Sequence, residues 1–254
     1  LNIYFDLRPL NTKLTEIGKA SLIPFYEKVF IATGAWWRDA VKINDKESIA
    51  GPTVQEAWEQ WYNWVAPAGF KSTDYDLMVK VEWADEAGNH STLAWAGPSY
   101  RHPQSQRPIS GVLGVEKYGS DLWENNTDKK KAFQGAMATM IHEFGHIIAF
   151  SSWERYQSKN ILSVTGTDGK AQYYWKGPKA IEVAKNYYKC TGEFKGLPLQ
   201  SQNGKLGAHW QEAWFGPEGM SPAEGAEPEL FSPMTLALCE DSGWYQVNYA
   251  MAEN

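Results

Sequence analysis

Residues 128–148 read DKKKAFQGAMATMIHEFGHII, and the rest of the chain is interpreted outward from this stretch. Phe133, Met137, Met140, Ile141, Phe144 and Ile148 recur at three- and four-residue spacing, a period that predicts a buried α-helix. Asp128 stands where an N-cap is needed. Towards the end comes His142-Glu143-Phe144-Gly145-His146, a match to HExxH. Spacing of four stacks both imidazoles on one helical face, where their ring nitrogens can converge on a single zinc ion. Glu143 lies about 100° around the helix, beside that point, and can take a proton from a water whose pKa the metal lowers towards roughly 7. With five histidines in 254 residues the pattern is expected by accident only on the order of 0.01 times. Gly145 costs a helix about 1 kcal/mol relative to Ala, a departure tolerated where something must approach the backbone.

Composition bounds the alternatives. A chain of 254 residues can bury a substantial core, and 43% hydrophobic with 21% charged residues excludes disorder and fibrous repeats. The net charge of −6 lacks the basic footprint of a nucleic-acid binder, and no apolar run is long enough to span a membrane. The start, Leu1-Asn2-Ile3-Tyr4, has no charged leader followed by an apolar run, which suggests a mature or trimmed product. Asn89-His90-Ser91 and Asn125-Asn126-Thr127 match the glycosylation acceptor pattern, making Asn89 and Asn125 candidate acceptors in a secreted protein.

Elsewhere the periodicity predicts a helix over residues 14–32, kinked at Pro24 and stopped by Gly34, and a helix within 53–65. Residues 77–83 alternate as a strand, and residues 109–115 form a β-prone stretch broken by Gly111 and Gly114. Helices are expected over residues 178–190 and 229–242, the latter ended by Gly243. The intervening residues 191–227, rich in Gly and Pro, read as a long functional loop that contains His209.

A hydrolytic zinc site takes three protein ligands and keeps one open position. Cys190 and Cys239 are too few for a cysteine-type site, so histidine or carboxylate must complete it. A histidine six residues beyond His146 would fall at Ser152, and a glutamate on a following helix would fall near Gly166; neither can serve. Asp168, His90, His102 and His209 remain as candidates.

At this point the chain resembles the leishmanolysin family, metzincin-like zinc peptidases with a long insertion between HExxH and the third histidine. The resemblance runs through Thr92-Leu93-Ala94-Trp95-Ala96-Gly97-Pro98, Arg107-Pro108-Ile109-Ser110-Gly111 and the HEFGH helix. It continues through Tyr187-Tyr188-Lys189-Cys190, Ala208-His209-Trp210, Gly219-Met220-Ser221-Pro222 and Asp241-Ser242-Gly243-Trp244-Tyr245. It implies that His142, His146 and His209 bind Zn2+, that Glu143 is the general base, and that Met220 belongs to a tight methionine turn beneath the metal. Met234, the competing methionine, falls in a helix-forming run and is expected in the core.

Ala149 departs from the family at the position of a helix-ending glycine, and few cysteines remain of a disulfide-rich pattern. A bridge between Cys190 and Cys239 is left open, and the family's further cysteine-rich region is expected to be absent or removed. The implied architecture is α+β, with subdomains 1–150 and 151–254 flanking an active-site cleft. The implied function is hydrolysis of internal peptide bonds in polypeptide substrates, outside the cell or at its surface, with anchoring through a region this chain lacks. The strand near residues 109–116 is expected to be the edge along which substrate lies. The competing reading is a catalytically silent zinc protein with a binding or structural role at the cell surface.

Overall fold

The computed structural model describes residues 1–44, 54–71, 74–85, 91–151, 157–222 and 230–253. Its strands are β1 (Ile3–Asp6), β2 (Val41–Ile43), β3 (Leu77–Ala84), β4 (Ala94–Arg101), β5 (Pro108–Glu116), β6 (Ile161–Thr165), β7 (Ala171–Trp175), β8 (Leu197–Gln202), β9 (Lys205–Trp210) and β10 (Tyr245–Val247). Its helices are α1 (Arg8–Glu16), α2 (Ile23–Ala40), α3 (Val54–Tyr62), α4 (Lys117–Asn125), α5 (Lys129–Ile148), α6 (Pro178–Tyr188), α7 (Glu212–Phe215) and α8 (Pro233–Asp241). The protein is of the α+β class. Two compact units divide the chain: Leu1–Asp39 with Asp45–Ile148, and Ala40–Asn44 with Ala149–Asn254.

In the first unit a four-stranded sheet has the order β1-β3-β5-β4, with β4 antiparallel to β5 and the other pairs parallel. Helix α5 is the predicted zinc helix. Asp128 caps it, its Oδ1 accepting the N–H groups of Lys130 at 3.0 Å and Lys131 at 3.1 Å. The helix packs against β4 and β5, and Gly111 sets how closely it approaches. A Cβ at that position would lie 2.7 Å from Cγ2 of Ile147, so a larger residue forces the Ile147 side chain or the helix itself to shift. Phe144 packs against Phe5 and Trp37, and the Trp37 indole donates to the Ile141 carbonyl at 3.2 Å. A second cluster gathers Trp58, Trp64, Met78 and Ile109 with Tyr4, Phe70 and Tyr100 around them. The tryptophans are mainly core: Trp37, Trp58, Trp175 and Trp210 are fully buried.

The second unit contains the antiparallel pair β2–β10 and an antiparallel sheet in the order β6-β7-β8-β9. Helix α8 is buried along Met234–Cys239 and packs against α6. Asp241 at the end of α8 accepts the N–H groups of Lys179 at 2.8 Å and Ala180 at 3.0 Å, satisfying the first turn of α6 from 62 and 61 residues away in sequence.

Three sequence expectations are corrected here. The helix expected over residues 14–32 is two helices: Pro24 falls in the first turn of α2, where its missing N–H costs nothing, and Gly34 lies inside α2 against Phe5. The loop expected over residues 191–227 contains the β8–β9 hairpin, turned by Asn203 (φ 51°) and Gly204 (φ 78°). Strand β5 is interior, so it is not the sheet's edge. Helix α5 ends at Ile148, and Ala149 does not adopt a left-handed conformation, so the missing glycine imposes no strain.

Asp6, buried at the end of β1, holds the sheet to the chain that follows. Its carboxylate accepts from Arg8 Nε at 2.7 Å, Arg8 Nη2 at 2.8 Å and Trp64 Nε1 at 3.0 Å. Burial alone would raise its pKa, but these donors outweigh it and hold the group below the usual carboxylate range. A depressed folded pKa stabilises above the unfolded value and loses that contribution as pH falls through the folded one. In urea unfolding, wild type should therefore exceed Asp6→Asn by on the order of 1 kcal/mol at neutral pH, and the gap should shrink as pH falls below about 4. A gap independent of pH would remove the charge from this account.

Candidate metal centre

The end of α5 carries three ionisable side chains into the interior: His142, Glu143 and His146 are 3%, 4% and 8% exposed. The two imidazoles are one turn apart, with ring centroids at 4.9 Å and planes at 80°. Their Nε2 atoms face each other at 3.1 Å. Two nitrogens each bound to a tetrahedral zinc at 2.0 to 2.1 Å stand roughly 3.3 Å apart, so the observed spacing suits shared coordination.

His209 comes from β9, where pairing with β8 is irregular. Leu199 pairs with Trp210 and Ser201 with Leu206, so Gln200 alone stands opposite Gly207-Ala208-His209. Such a bulge re-aims side chains out of the ladder. His209 Nδ1 lies 2.9 Å from Oε1 of Gln200.

The other sequence candidates sit on separate elements. His102 is buried in the turn between β4 and β5, its Nδ1 accepting the Ser105 N–H at 3.3 Å. Asp168 is exposed in the β6–β7 turn, where its Oδ1 accepts the Lys170 N–H. His90, Asn89 and Ser152 lie outside the described residues. Asn125 is exposed at the end of α4. Cys190 and Cys239 are not bridged: Cys190 is exposed, while Cys239 is buried in α8, where burial pushes its thiol pKa up to about 12.

Met220 is fully buried in a short turn, and its carbonyl accepts the Trp210 N–H at 3.0 Å, tying it to the residue after His209. Met234 sits on α8 in the core. The turn is organised by Glu218, which sequence reasoning missed. Its fully buried carboxylate accepts the N–H of Met220 at 2.6 Å, the N–H of Ser232 at 3.0 Å and the Ser232 hydroxyl at 2.8 Å. It also accepts the Thr235 hydroxyl, and Thr235 Oγ1 in turn accepts the Trp210 indole N–H at 2.8 Å. Burial raises the Glu218 pKa, and the four donors pull against it without reversing the direction. No local pattern marks a loop glutamate for burial; Ser232-Pro233, the start of α8, was the nearest signal.

The sequence profile described as leishmanolysin matches residues 65–254. Similar curated proteins include a leishmanolysin-like peptidase of Caenorhabditis elegans, 26% identical over 227 residues, covering 73% of this chain and 33% of that protein. The ciliated left-right organizer metallopeptidase of Mus musculus is 31% identical over 202 residues, covering 73% of this chain and 28% of that protein. A leishmanolysin-like peptidase of Drosophila melanogaster is 24% identical over 225 residues, covering 72% and 32% respectively. The chain thus spans about a third of the length of the curated relatives it matches.

Truncating Glu218 to Ala strands four buried donors at once. Urea unfolding followed by tryptophan fluorescence should show Glu218→Ala destabilised by on the order of 3 kcal/mol. A loss below about 0.5 kcal/mol, the usual range for surface substitutions, would mean that the carboxylate does not brace the turn.

Proposed function

The chain belongs to the leishmanolysin family, and from that premise we propose that it is a zinc-dependent endopeptidase acting on internal peptide bonds of polypeptides. The observation that carries this reading is the pair of imidazoles on the buried end of α5, whose Nε2 atoms face each other at 3.1 Å; the family pattern adds His209 on β9 as the third ligand. His142, His146 and His209 would hold the metal. Zinc, when bound, supplies Lewis acidity that polarises a carbonyl and acidifies water.

Glu143 follows His142 on the same helix and is turned about 100° from it, so it borders the metal position without competing for it. As general base it takes the proton of the attacking water, and as general acid it delivers that proton to the leaving amine. Its burial excludes bulk water and favours this exchange of one proton between two partners.

Substrate alignment falls to β4. It is an outer strand, antiparallel to β5, with α5 packed against it. As an outermost strand of its sheet among the described residues it offers an edge to an extended chain, and main-chain pairing holds many sequences without reading each side chain. Pro98 interrupts the donors in the middle of the strand, as edge strands allow. Action outside the cell or at its surface is part of the proposal, supported by the exposed acceptor Asn125.

The test is cleavage of a denatured protein, with zinc content measured on the same samples. Glu143→Ala should retain one zinc per chain and lose activity by about 10²- to 10⁴-fold. Equal zinc in both forms with no cleavage by either would overturn the peptidase reading and favour a silent zinc protein.

A further inference from the structure

We infer that Gln200 is a positioning residue for His209: its amide oxygen accepts the Nδ1 proton, fixing the imidazole tautomer that presents Nε2 to the metal. This rests on His209 being the third zinc ligand. The carrying observation is the 2.9 Å contact between Gln200 Oε1 and His209 Nδ1, made across the irregular stretch of the β8–β9 hairpin.

A neutral imidazole carries one proton and can ligate only through the nitrogen that lacks it. With Nδ1 held by Gln200, ligation must use Nε2, so Nδ1 must carry the proton and donate it. The amide oxygen can only accept, which selects that tautomer. Reversing the amide would aim N–H at Nδ1, place the proton on Nε2 and close that nitrogen to a metal. The orientation of one amide therefore decides whether His209 is a ligand or a bystander.

The surroundings hold Gln200 in place. Ser201 Oγ accepts the Tyr173 N–H at 3.2 Å and donates to the Leu199 carbonyl at 3.1 Å, pinning β8 on both sides of Gln200. Gly207 leaves the lane its side chain occupies: a Cβ there would lie 2.2 Å from Gln200 Oε1 and 2.8 Å from Cδ. Partners that orient ligating histidines typically contribute 10- to 100-fold to metal affinity.

The experiment measures zinc(II) affinity by competition with a chromogenic chelator in wild type, Gln200→Leu, Gln200→Glu and His209→Ala. Nitrogen-15 spectra of the zinc-free proteins report the His209 tautomer, and thermal midpoints report folding. Gln200→Leu should bind zinc about 10- to 100-fold more weakly and lose the Nδ1–H tautomer while its melting midpoint stays near wild type. Gln200→Glu, which offers an oxygen to the same proton, should restore both. Should Gln200→Leu fail to fold, Gln200→Glu decides: a weakened affinity with the Nδ1–H tautomer lost overturns the inference. If His209→Ala weakens zinc while Gln200→Leu leaves affinity and tautomer unchanged, this inference fails and the ligand assignment stands. If His209→Ala leaves zinc affinity unchanged, the ligand assignment itself fails.

Discussion

A helix can carry two imidazoles and a carboxylate into an interior only if nearby groups replace the water those side chains give up. His142, Glu143 and His146 meet that condition at the buried end of α5, and much of the first unit serves their placement. Asp128 starts the helix, Gly111 lets it lie close on the sheet, and Phe5, Trp37 and Phe144 lock its apolar side. The paired nitrogens at 3.1 Å are the outcome: a spacing that one shared cation satisfies, on a scaffold that leaves the rings little freedom.

The second unit solves a different problem, since β9 and the Met220 turn have no long helix to stiffen them. A buried carboxylate does that work. Glu218 gathers donors from Met220, Ser232 and Thr235, and Thr235 reaches the indole of Trp210. The residue beside His209 is thereby joined to the turn and to the start of α8. Burial disfavours the ionised carboxylate, yet four donors make removal of the group costlier than its desolvation. Gln200 complements this bracing at the imidazole itself.

Where sequence reading succeeded, the signal was local and repeated. The period of α5, the alternation of β3 and the Pro start of α6 each depend on residues within a few turns of one another. Where it failed, two local signals competed or one was undervalued. Pro24 suits a helix start as well as a kink, and the break before α2 decides between them. Asn203-Gly204 is a strong hairpin signal, but surrounding Gly and Pro made the segment read as loop. The interior position of β5 could not be read locally, because strand order is set by which partners claim both of its edges.

The sequence by itself determined that a helix carrying HExxH exists, which two histidines and which glutamate it bears, and the family whose motifs accompany it. Helical geometry makes those facts consequences of spacing alone. Tertiary structure faced the two imidazoles of α5 towards each other and buried them together with Glu143. It also placed Gln200 against His209 and buried Glu218 beneath Met220. Gln200 meets His209 across an irregular stretch of strand register, and Glu218 gathers donors as far off as Thr235, seventeen positions on; neither register nor packing is written in any short stretch of the chain.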